Sequence, residues 1–171
     1  PKRVPEQVGA AEERVNALLS GSAREHSAQD ISPIQVKKRI REIVWNNMMY
    51  EKSETGLKDA MEKFAKVEEE LAPNMRLRSG STSFNYDLVD ALDVQDMLDV
   101  CRVAAHASLT RQESRGPHFR EEFPFTDNDN WLKRIVMRKE QGQVKTRFEP
   151  VQQKYLRPKP GKIDYFGDPY V

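Results

Sequence analysis

The stretch FNYDLVDALDVQDMLDVCRVAAHASLTRQESRGP, residues 84–117, decides the fold of this chain. Its apolar residues recur mostly at steps of three or four, which is the spacing of one stripe on a long amphipathic helix. The stripe consists of Leu88, Val89, Leu92, Leu98, Cys101, Ala105 and Leu109. The pattern predicts a helix that begins at Phe84 or Asn85 and ends near Gly116 and Pro117, where two poor helix formers meet.

Two further helices of several turns precede this one. Residues 32–35 (SPIQ) combine an N-cap serine, a proline at the first helical position and a glutamine that can close a capping box. We expect that helix to run to about residue 50, and the next to span residues 53–73. Because three such helices cannot bury their apolar stripes singly, the sequence predicts a mainly α fold with an antiparallel, spectrin-repeat-like three-helix bundle.

The flanking segments have other patterns. Residues 5–19 are typical of a short amphipathic helix and residues 20–30 of a polar linker. After Pro117 the apolar residues alternate over residues 131–138 and 144–148, which predicts a β-hairpin. The proline- and aromatic-rich tail, residues 155–171, is expected to be extended. We therefore divide the chain into an N-terminal helix and linker (1–31), a three-helix bundle (32–117), and an arginine-rich turn with hairpin and extended tail (118–171).

Composition excludes several classes of protein. The 171 residues fit one domain, and 28 Lys and Arg against 27 Asp and Glu give a net charge of +1. That balance provides no global field for nucleic acid or a membrane surface. A single cysteine, Cys101, cannot form an internal disulfide, which favours a reducing compartment. The chain does not begin with Met, so we expect a fragment or a processed product.

Residues with catalytic or metal-binding spacing are not found in the sequence. The eight glycines are dispersed, so neither a GxGxxG turn nor a phosphate-binding loop can be written. Residues 127–130 (DNDN) lack the glycine and the glutamate of a calcium loop and predict a polar turn. The five aspartates of the long helix occur at three-residue steps and predict a solvated face, with a docking surface for a basic partner as the second interpretation. They are Asp87, Asp90, Asp93, Asp96 and Asp99.

The segment RQESRGPHFREEFP, residues 111–124, is the most unusual part of the chain. It combines three arginines, a histidine and three glutamates with a glycine and two prolines that stiffen the backbone. Such a turn can be a salt-bridge network that terminates the helix, or a binding site whose charges lose little entropy when a partner arrives. The residues alone leave both interpretations open.

The run ESRGPHFREEFPFTDNDNWLK, residues 113–133, resembles the ESRGAHxRxDYPxRDDxxW signature of the flavoprotein subunit of succinate dehydrogenase and fumarate reductase. That family also includes L-aspartate oxidase and the adenylylsulfate reductase α subunit. Residues 43–64, 83–116 and 156–166 are similar to the same C-terminal domain, so the resemblance covers about residues 5–166. Pro117 stands where the signature has alanine, and Glu122 where it has aspartate.

The resemblance implies a C-terminal, non-catalytic helical domain of an FAD-dependent oxidoreductase. The parent protein would pass electrons between a dicarboxylate pair and an iron-sulfur subunit through FAD, with no FAD held by these 171 residues. The implied partners are the flavin-binding domain of the same protein and an iron-sulfur subunit, without nucleic acid or direct membrane insertion. The implied location is cytoplasmic, peripheral on the inner face of the membrane through partner subunits.

The resemblance also implies an interface, made by Arg115, His118 and Arg120 together with Glu113 and Trp131. The arginines are expected to pair with carboxylates or carbonyls of the flavin domain. For Trp131, packing of the hairpin on the bundle is an equal alternative to contact with the iron-sulfur partner. Two other functions stay open: a free-standing helical adaptor, and the same domain from an L-aspartate oxidase or adenylylsulfate reductase relative.

Overall fold

The structure is a computed structural model that describes residues 5–25, 27–140, 143–155 and 157–167, with backbone alone at residues 5–7, 139 and 143. Four α-helices dominate it: α1 (Pro5–Gly21), α2 (Pro33–Asn47), α3 (Glu54–Lys66) and α4 (Tyr86–Thr110). Six short strands accompany them: β1 (Glu51–Lys52), β2 (Phe119–Arg120), β3 (Phe125–Asp127), β4 (Lys133–Glu140), β5 (Gln143–Pro150) and β6 (Lys162–Asp164). The predicted mainly α class is confirmed, whereas the three-helix packing and the extended tail stay predictions.

Side-chain caps set where three of the helices begin. At α2 the side-chain carbonyl of Gln35 accepts the backbone N–H of Ser32 at 3.0 Å, which closes the predicted capping box from one side. At α3 the backbone N–H of Gly56 donates to Oγ of Ser53 at 3.1 Å. At α4 the backbone N–H of Leu88 donates to Oδ1 of Asn85 at 3.1 Å, so the predicted start of the long helix is confirmed.

The end of α4 differs from the expectation, whereas the helical backbone after α3 agrees with it. After Lys66 the third helix continues as a π-helical turn, Val67–Leu71, and a 3₁₀ turn, Ala72–Asn74, so helical backbone does extend to the predicted proline. Helix α4 ends at Thr110, six residues before Gly116. The chain leaves the helix early because the backbone N–H of Ser114 donates to the carbonyl of Phe125 instead of continuing the helical pattern.

The strands form three two-stranded sheets. β1 pairs in parallel with β2, and β3 pairs antiparallel with β6. β4 and β5 form an antiparallel hairpin in which Ile135 lies opposite Phe148 and Arg138 opposite Lys145, so the predicted hairpin is confirmed. Part of the tail therefore pairs as a strand. The tail residues 156 and 168–171 lie outside the described residues.

The chain forms two compact units. The first unit comprises residues 1–43 and 62–100, and the second comprises residues 44–61 and 101–171, so α2, α3 and α4 each contribute to both. The three-segment division drawn from the sequence stays a prediction. None of the described helices combines the length and apolar character needed to cross a bilayer.

The two units bury different kinds of side chain. The buried apolar side chains of the first unit are Val36, Ile40, Ile43, Phe64, Val67, Met75, Leu77, Leu88, Ala91, Val94 and Leu98. Those of the second unit are Leu57, Ala60 and Ala105, and beside them it buries Glu113, Ser114, Arg120, Thr126, Asp127 and Asn128. Burial of apolar side chains thus contributes far more to the stability of the first unit than to that of the second.

Candidate functional site: the arginine-rich turn

The arginine-rich turn, residues 111–124, lies in the second unit and is folded around a tight backbone hairpin. The N–H of Arg115 donates to the carbonyl of His118 at 2.8 Å, and the N–H of His118 returns to the carbonyl of Arg115 at 3.1 Å. Gly116 lies between them with φ of 55°, in the left-handed region that residues with a Cβ rarely adopt. The glycine therefore permits a turn that fixes the position of His118.

Glu113 is the centre of the turn, and its side chain is fully buried. The carboxylate accepts hydrogen bonds from Nε and Nη2 of Arg115 at 3.0 and 2.9 Å, and from the backbone N–H of Asp127 at 2.9 Å. Arg111 forms a further ion pair with the same carboxylate. The negative charge of this buried carboxylate is therefore compensated by two guanidinium groups and a backbone N–H of the same chain.

Arg120 is buried as completely, with 1% of the residue exposed. Its guanidinium donates to the carbonyls of Ser108 at 2.6 Å and Arg111 at 3.3 Å, and pairs with the carboxylate of Glu122 at 3.0 Å. Ser108 belongs to the last turn of α4, whose carbonyls have no partners within the helix. The cation thus caps the carboxyl end of α4, where the helix dipole favours positive charge.

The expectation that Arg120 pairs with groups of a flavin domain stays a prediction. The carbonyl and carboxylate partners that the structure gives to its guanidinium belong to its own chain. For this residue the geometry corresponds to the helix-terminating network, one of the two interpretations that the residues alone left open. The sequence could not separate them, because the pattern shows the charges but not which carbonyls they meet.

Arg115 is more exposed, with 33% of its side chain accessible. Beside Glu113 it donates to Oδ1 of Asn128 at 2.8 Å, and Nδ2 of Asn128 donates to the carbonyl of Lys159 at 2.7 Å. Oδ1 of Asp127 in turn accepts the N–H of Asn130 at 3.0 Å. The segment 127–130 is therefore a polar turn, hydrogen-bonded to the protein's own groups, that connects the arginine-rich turn to the tail.

Trp131 packs at the start of the β4–β5 hairpin. Its ring lies 5.9 Å from that of Phe148 in an edge-on arrangement, and Nζ of Lys133 lies 4.5 Å from its centroid. The Arg111 guanidinium lies 5.4 Å from the same ring and donates to the carbonyl of Lys133 at 2.8 Å. These cation–π and hydrogen-bonding contacts hold the hairpin to the segment that follows α4. An interface role for Trp131 stays a prediction.

His118 has a pKa of about 4, well below its ordinary value. Burial is the main cause, and the positive charges of Lys52, Arg111 and Arg120 add to it. The imidazole is therefore neutral at physiological pH. The structure brings His118 together with Arg111 and Arg120, while its interface role stays a prediction.

An aromatic cluster that was not predicted from the sequence lies beside the turn. It consists of Tyr50, Phe119, Tyr165 and Phe166, with ring centroids of neighbouring members between 5.0 and 6.3 Å apart. The hydroxyls of Tyr50 and Tyr165 are 2.7 Å apart, and the Tyr165 hydroxyl donates to the carbonyl of Gly116. The aromatic density of the tail was the signal, but its partner Tyr50 lies 115 residues earlier.

The residues of this chain do not fit a flavin site. Dinucleotides bind where a glycine-rich loop leads from a parallel strand into a helix. The chain has no such glycine spacing, and the sheets in its described part are separate two-stranded pairs. Within the described ranges, no three His, Cys, Asp or Glu side chains are grouped so that they could hold a metal ion.

Comparison with known proteins identifies the class to which this fold and turn belong. The family described as "Fumarate reductase flavoprotein C-term" matches residues 37–165. The chain therefore belongs to the C-terminal domain family of succinate dehydrogenase and fumarate reductase flavoproteins, as the signature in residues 113–133 predicts.

Individual relatives agree with this assignment. The chain is 33% identical over 79 residues to the succinate dehydrogenase flavoprotein subunit of Rickettsia conorii, covering 46% of this chain and 13% of the relative. It is 28% identical over 115 residues to the fumarate reductase flavoprotein subunit of Haemophilus influenzae, covering 67% and 19%. The chain thus spans a fifth or less of the length of these two relatives.

Solved structures show the same fold. E. coli quinol fumarate reductase FrdA superposes with a TM-score of 0.75 at 22% identity, covering 90% of this chain and 26% of that chain. An adenosine-5-phosphosulfate reductase superposes with a TM-score of 0.73 at 17% identity, covering 90% and 26%. At these identities the likeness concerns the fold alone.

Proposed function

We propose that this chain is the non-catalytic helical domain of an FAD-dependent oxidoreductase of the succinate dehydrogenase and fumarate reductase type. It packs on the flavin-binding domain of the same protein and supports assembly with, and electron transfer to, an iron-sulfur subunit. The observation that carries the proposal is the family match over residues 37–165. FAD belongs to the remainder of the parent protein, which acts on the substrate.

The character of the turn supports a role in assembly. The charges of Glu113 and Arg120 are compensated within the chain, so these two residues give the turn a fixed shape. The side chain of Arg115, which pairs with Glu113, stays partly exposed to solvent. A preorganised charged group loses little entropy when it docks, which suits an interdomain contact. We assign the contact to Arg115, with His118 and Trp131 at its border and Glu113 and Arg120 as its support.

A substitution at Arg115 in the complete flavoprotein tests the proposal. Arg115→Gln keeps a hydrogen-bonding side chain beside Glu113 but removes the charge. We expect flavin content, measured from the absorbance ratio of flavin to protein, to fall about fivefold after gel filtration, since an exposed charge-assisted contact contributes about 1 kcal/mol. The unfolding midpoint of the isolated 171-residue chain is measured in parallel, so that lost assembly can be separated from lost folding.

Arg138→Gln is the matched control. Arg138 lies on the β4–β5 hairpin with 76% of its side chain exposed and lies outside the arginine-rich turn. It should leave both flavin content and the unfolding midpoint unchanged. Equal flavin retention in the Arg115→Gln and Arg138→Gln proteins would rule out the interface role of Arg115.

A further inference from the structure

A surface cavity of about 820 Å³ lies beside the arginine-rich turn, entirely within the second unit. Its apolar walls are formed by Leu132, Val151, Tyr155, Pro158 and Tyr165. Tyr155 and Val151 remain 89% and 41% exposed, so this wall of the cavity faces solvent. Sites for small molecules enclose most of the ligand's surface, and an open wall therefore favours a segment of polypeptide over a small molecule.

The backbone at this wall has unused hydrogen-bonding groups. β5 ends at Pro150, and the N–H of Val151 still donates to the carbonyl of Leu132 at 3.2 Å, which continues the hairpin by one residue. Beyond it, the backbone N–H groups of residues 152–154 have no acceptor within the ranges that the structure describes. These residues line the cavity and are exposed. Unpaired backbone groups that follow a strand are a template on which another extended segment can pair.

The charged side chains of the cavity are positive. Within the described part of the chain, its lining includes Arg115 and Lys154 but no Asp or Glu. The guanidinium of Arg115 already pairs with Glu113, so it does not provide the free charge of this site. The contact that the structure gives to the ammonium of Lys154 is with the ring of Tyr155, 5.1 Å from Nζ to the centroid. This ammonium is available to an acidic side chain of an incoming segment.

We propose that this cavity holds an extended segment of the flavin-binding domain of the same protein. The segment packs an apolar side chain against the open wall, accepts the backbone N–H groups of residues 152–154 with its carbonyls, and pairs a carboxylate with Lys154. The inference rests on the proposed function, because Arg115 and Gly116 line the same cavity and make it continuous with the interdomain contact assigned to Arg115. It adds to that contact a groove and the kind of segment that fits it.

Photo-crosslinking in the complete flavoprotein tests the identity of the occupant. Tyr155 is replaced by p-benzoyl-L-phenylalanine, an aromatic residue that reacts with neighbouring C–H bonds on illumination, and crosslinked peptides are identified by mass spectrometry. We expect a crosslink to a segment of the flavin-binding domain of the same polypeptide that contains an Asp or Glu. The same probe at Tyr86 is the control, because Tyr86 is also an exposed tyrosine, at 76%, but does not line the cavity.

Four results of this experiment would overturn the inference. They are the absence of any crosslink from residue 155, crosslinks that stay within the 171 residues of this chain, crosslinks to a different subunit, and an equal yield of the same crosslinked segment from the probe at residue 86.

Val151→Asp tests the apolar wall by an independent measurement in the complete flavoprotein. We expect flavin content after gel filtration to fall about tenfold, because the docked segment would have to bury an unpaired charge against apolar side chains. Val144→Asp is the matched control, since Val144 lies on β5, is 43% exposed and does not line the cavity. It should lower flavin content by less than about twofold, as most surface substitutions do.

The unfolding midpoints of the two variants of the isolated chain separate lost docking from lost folding. If Val151→Asp destabilises the isolated chain more than Val144→Asp does, the crosslinking result decides. Equal flavin retention in the two variants would show that no segment covers this wall. If Arg115→Gln still loses flavin in that case, the groove alone is wrong and the proposed function stands. If Arg115→Gln also retains its flavin, the interdomain contact itself is wrong.

Discussion

The two units of this chain bury different kinds of side chain. The first unit buries mainly apolar side chains, together with two charged residues, Lys37 and Asp87. The second unit buries a glutamate, an arginine and an aspartate with few apolar side chains. A core of the first kind tolerates loss of one polar contact, whereas a buried ionic network does not, because the remaining charge is left without compensation.

The aspartates of α4 show how charge is used in the first unit. Asp90 and Asp93 both pair with Nζ of Lys37 at 2.7 Å, and Asp96 pairs with Arg14 at 2.7 Å. Asp93 and Asp96 nevertheless keep 49% and 67% of their side chains exposed, so the solvated face predicted from the three-residue spacing describes these two carboxylates. The spacing does carry successive carboxylates around the helix, and as a result they meet different cations on neighbouring segments.

The largest effect is expected at Arg120, in the second unit. Arg120→Met keeps most of the side-chain volume but leaves the carbonyls at the end of α4 and the carboxylate of Glu122 without their cation. We expect the free energy of unfolding of this unit to fall by about 3–5 kcal/mol, as for one partner removed from a buried ion pair. Both tryptophans, Trp45 and Trp131, belong to this unit, so urea unfolding followed by tryptophan fluorescence measures it.

Arg134→Met is the matched control for that measurement. Arg134 also pairs with a glutamate, Glu149, but 68% of its side chain is exposed, and the expected loss is below about 1 kcal/mol. Arg120→Lys should resemble Arg120→Met more than the wild type, because an ammonium cannot span the carbonyls and the carboxylate as a guanidinium does. Similar losses for Arg120→Met and Arg134→Met would contradict the difference drawn between the two units.

An intermediate effect is expected at Lys37, in the first unit. The residue is 8% exposed, but its partners Asp90 and Asp93 are 24% and 49% exposed at their side chains, so water can solvate them when the lysine is removed. Lys37→Met should lower the free energy of unfolding by about 1–2 kcal/mol, which lies between the losses expected for an exposed and for a buried ion pair. Amide hydrogen exchange over residues 86–100 measures it, with the exposed Lys38→Met as control. A loss as large as that at Arg120 would show that the first unit also depends on buried charge.

Much of the helical fold could be predicted from local chemistry. The cap at Ser32 was predicted because it depends on residues three positions apart. At Ser53 and Asn85 only the start of a helix was predicted, and the structure shows a side-chain cap at each. The end of α4 at Thr110 could not be predicted. The apolar spacing favours helix beyond Thr110, but the backbone N–H of Ser114 donates to the carbonyl of Phe125. A tertiary contact overrode the local signal there.

The sequence sets the proposed members of the candidate site apart but does not give their geometry. Arg115, His118 and Arg120 are set apart in the sequence by their density of charge beside a glycine and a proline. Which of them is buried depends on partners as distant in the chain as Ser108 and Asn128, and no spacing rule encodes those pairings. The family signature named the segment correctly, while the structure was needed to separate the buried Arg120 from the accessible Arg115.

The smallest effect is expected in the pH dependence of stability, at Asp87 of the first unit. Asp87 is 6% exposed, and its carboxylate accepts hydrogen bonds from the backbone N–H, Nε and Nη2 of Arg78 at 3.0, 2.8 and 2.7 Å. The side-chain hydrogen bond from Arg78 lowers the pKa of Asp87 below its ordinary value of 3.8, and this outweighs the opposing effect of burial. Because the folded pKa is depressed, the stabilisation is present above the unfolded pKa and is lost as pH falls through the folded one.

Stability measured by urea unfolding, followed by circular dichroism at several pH values from about 5 to 2.5, should therefore fall more steeply in the wild type than in Asp87→Asn. The difference in slope corresponds to less than one proton, since one group titrates. Arg78→Gln should flatten the curve as Asp87→Asn does, and the double variant should flatten it no further. Parallel curves for the wild type and Asp87→Asn would mean that this contact contributes no pH-dependent stability, and the first unit would then rest on its apolar core with its charges as surface pairs.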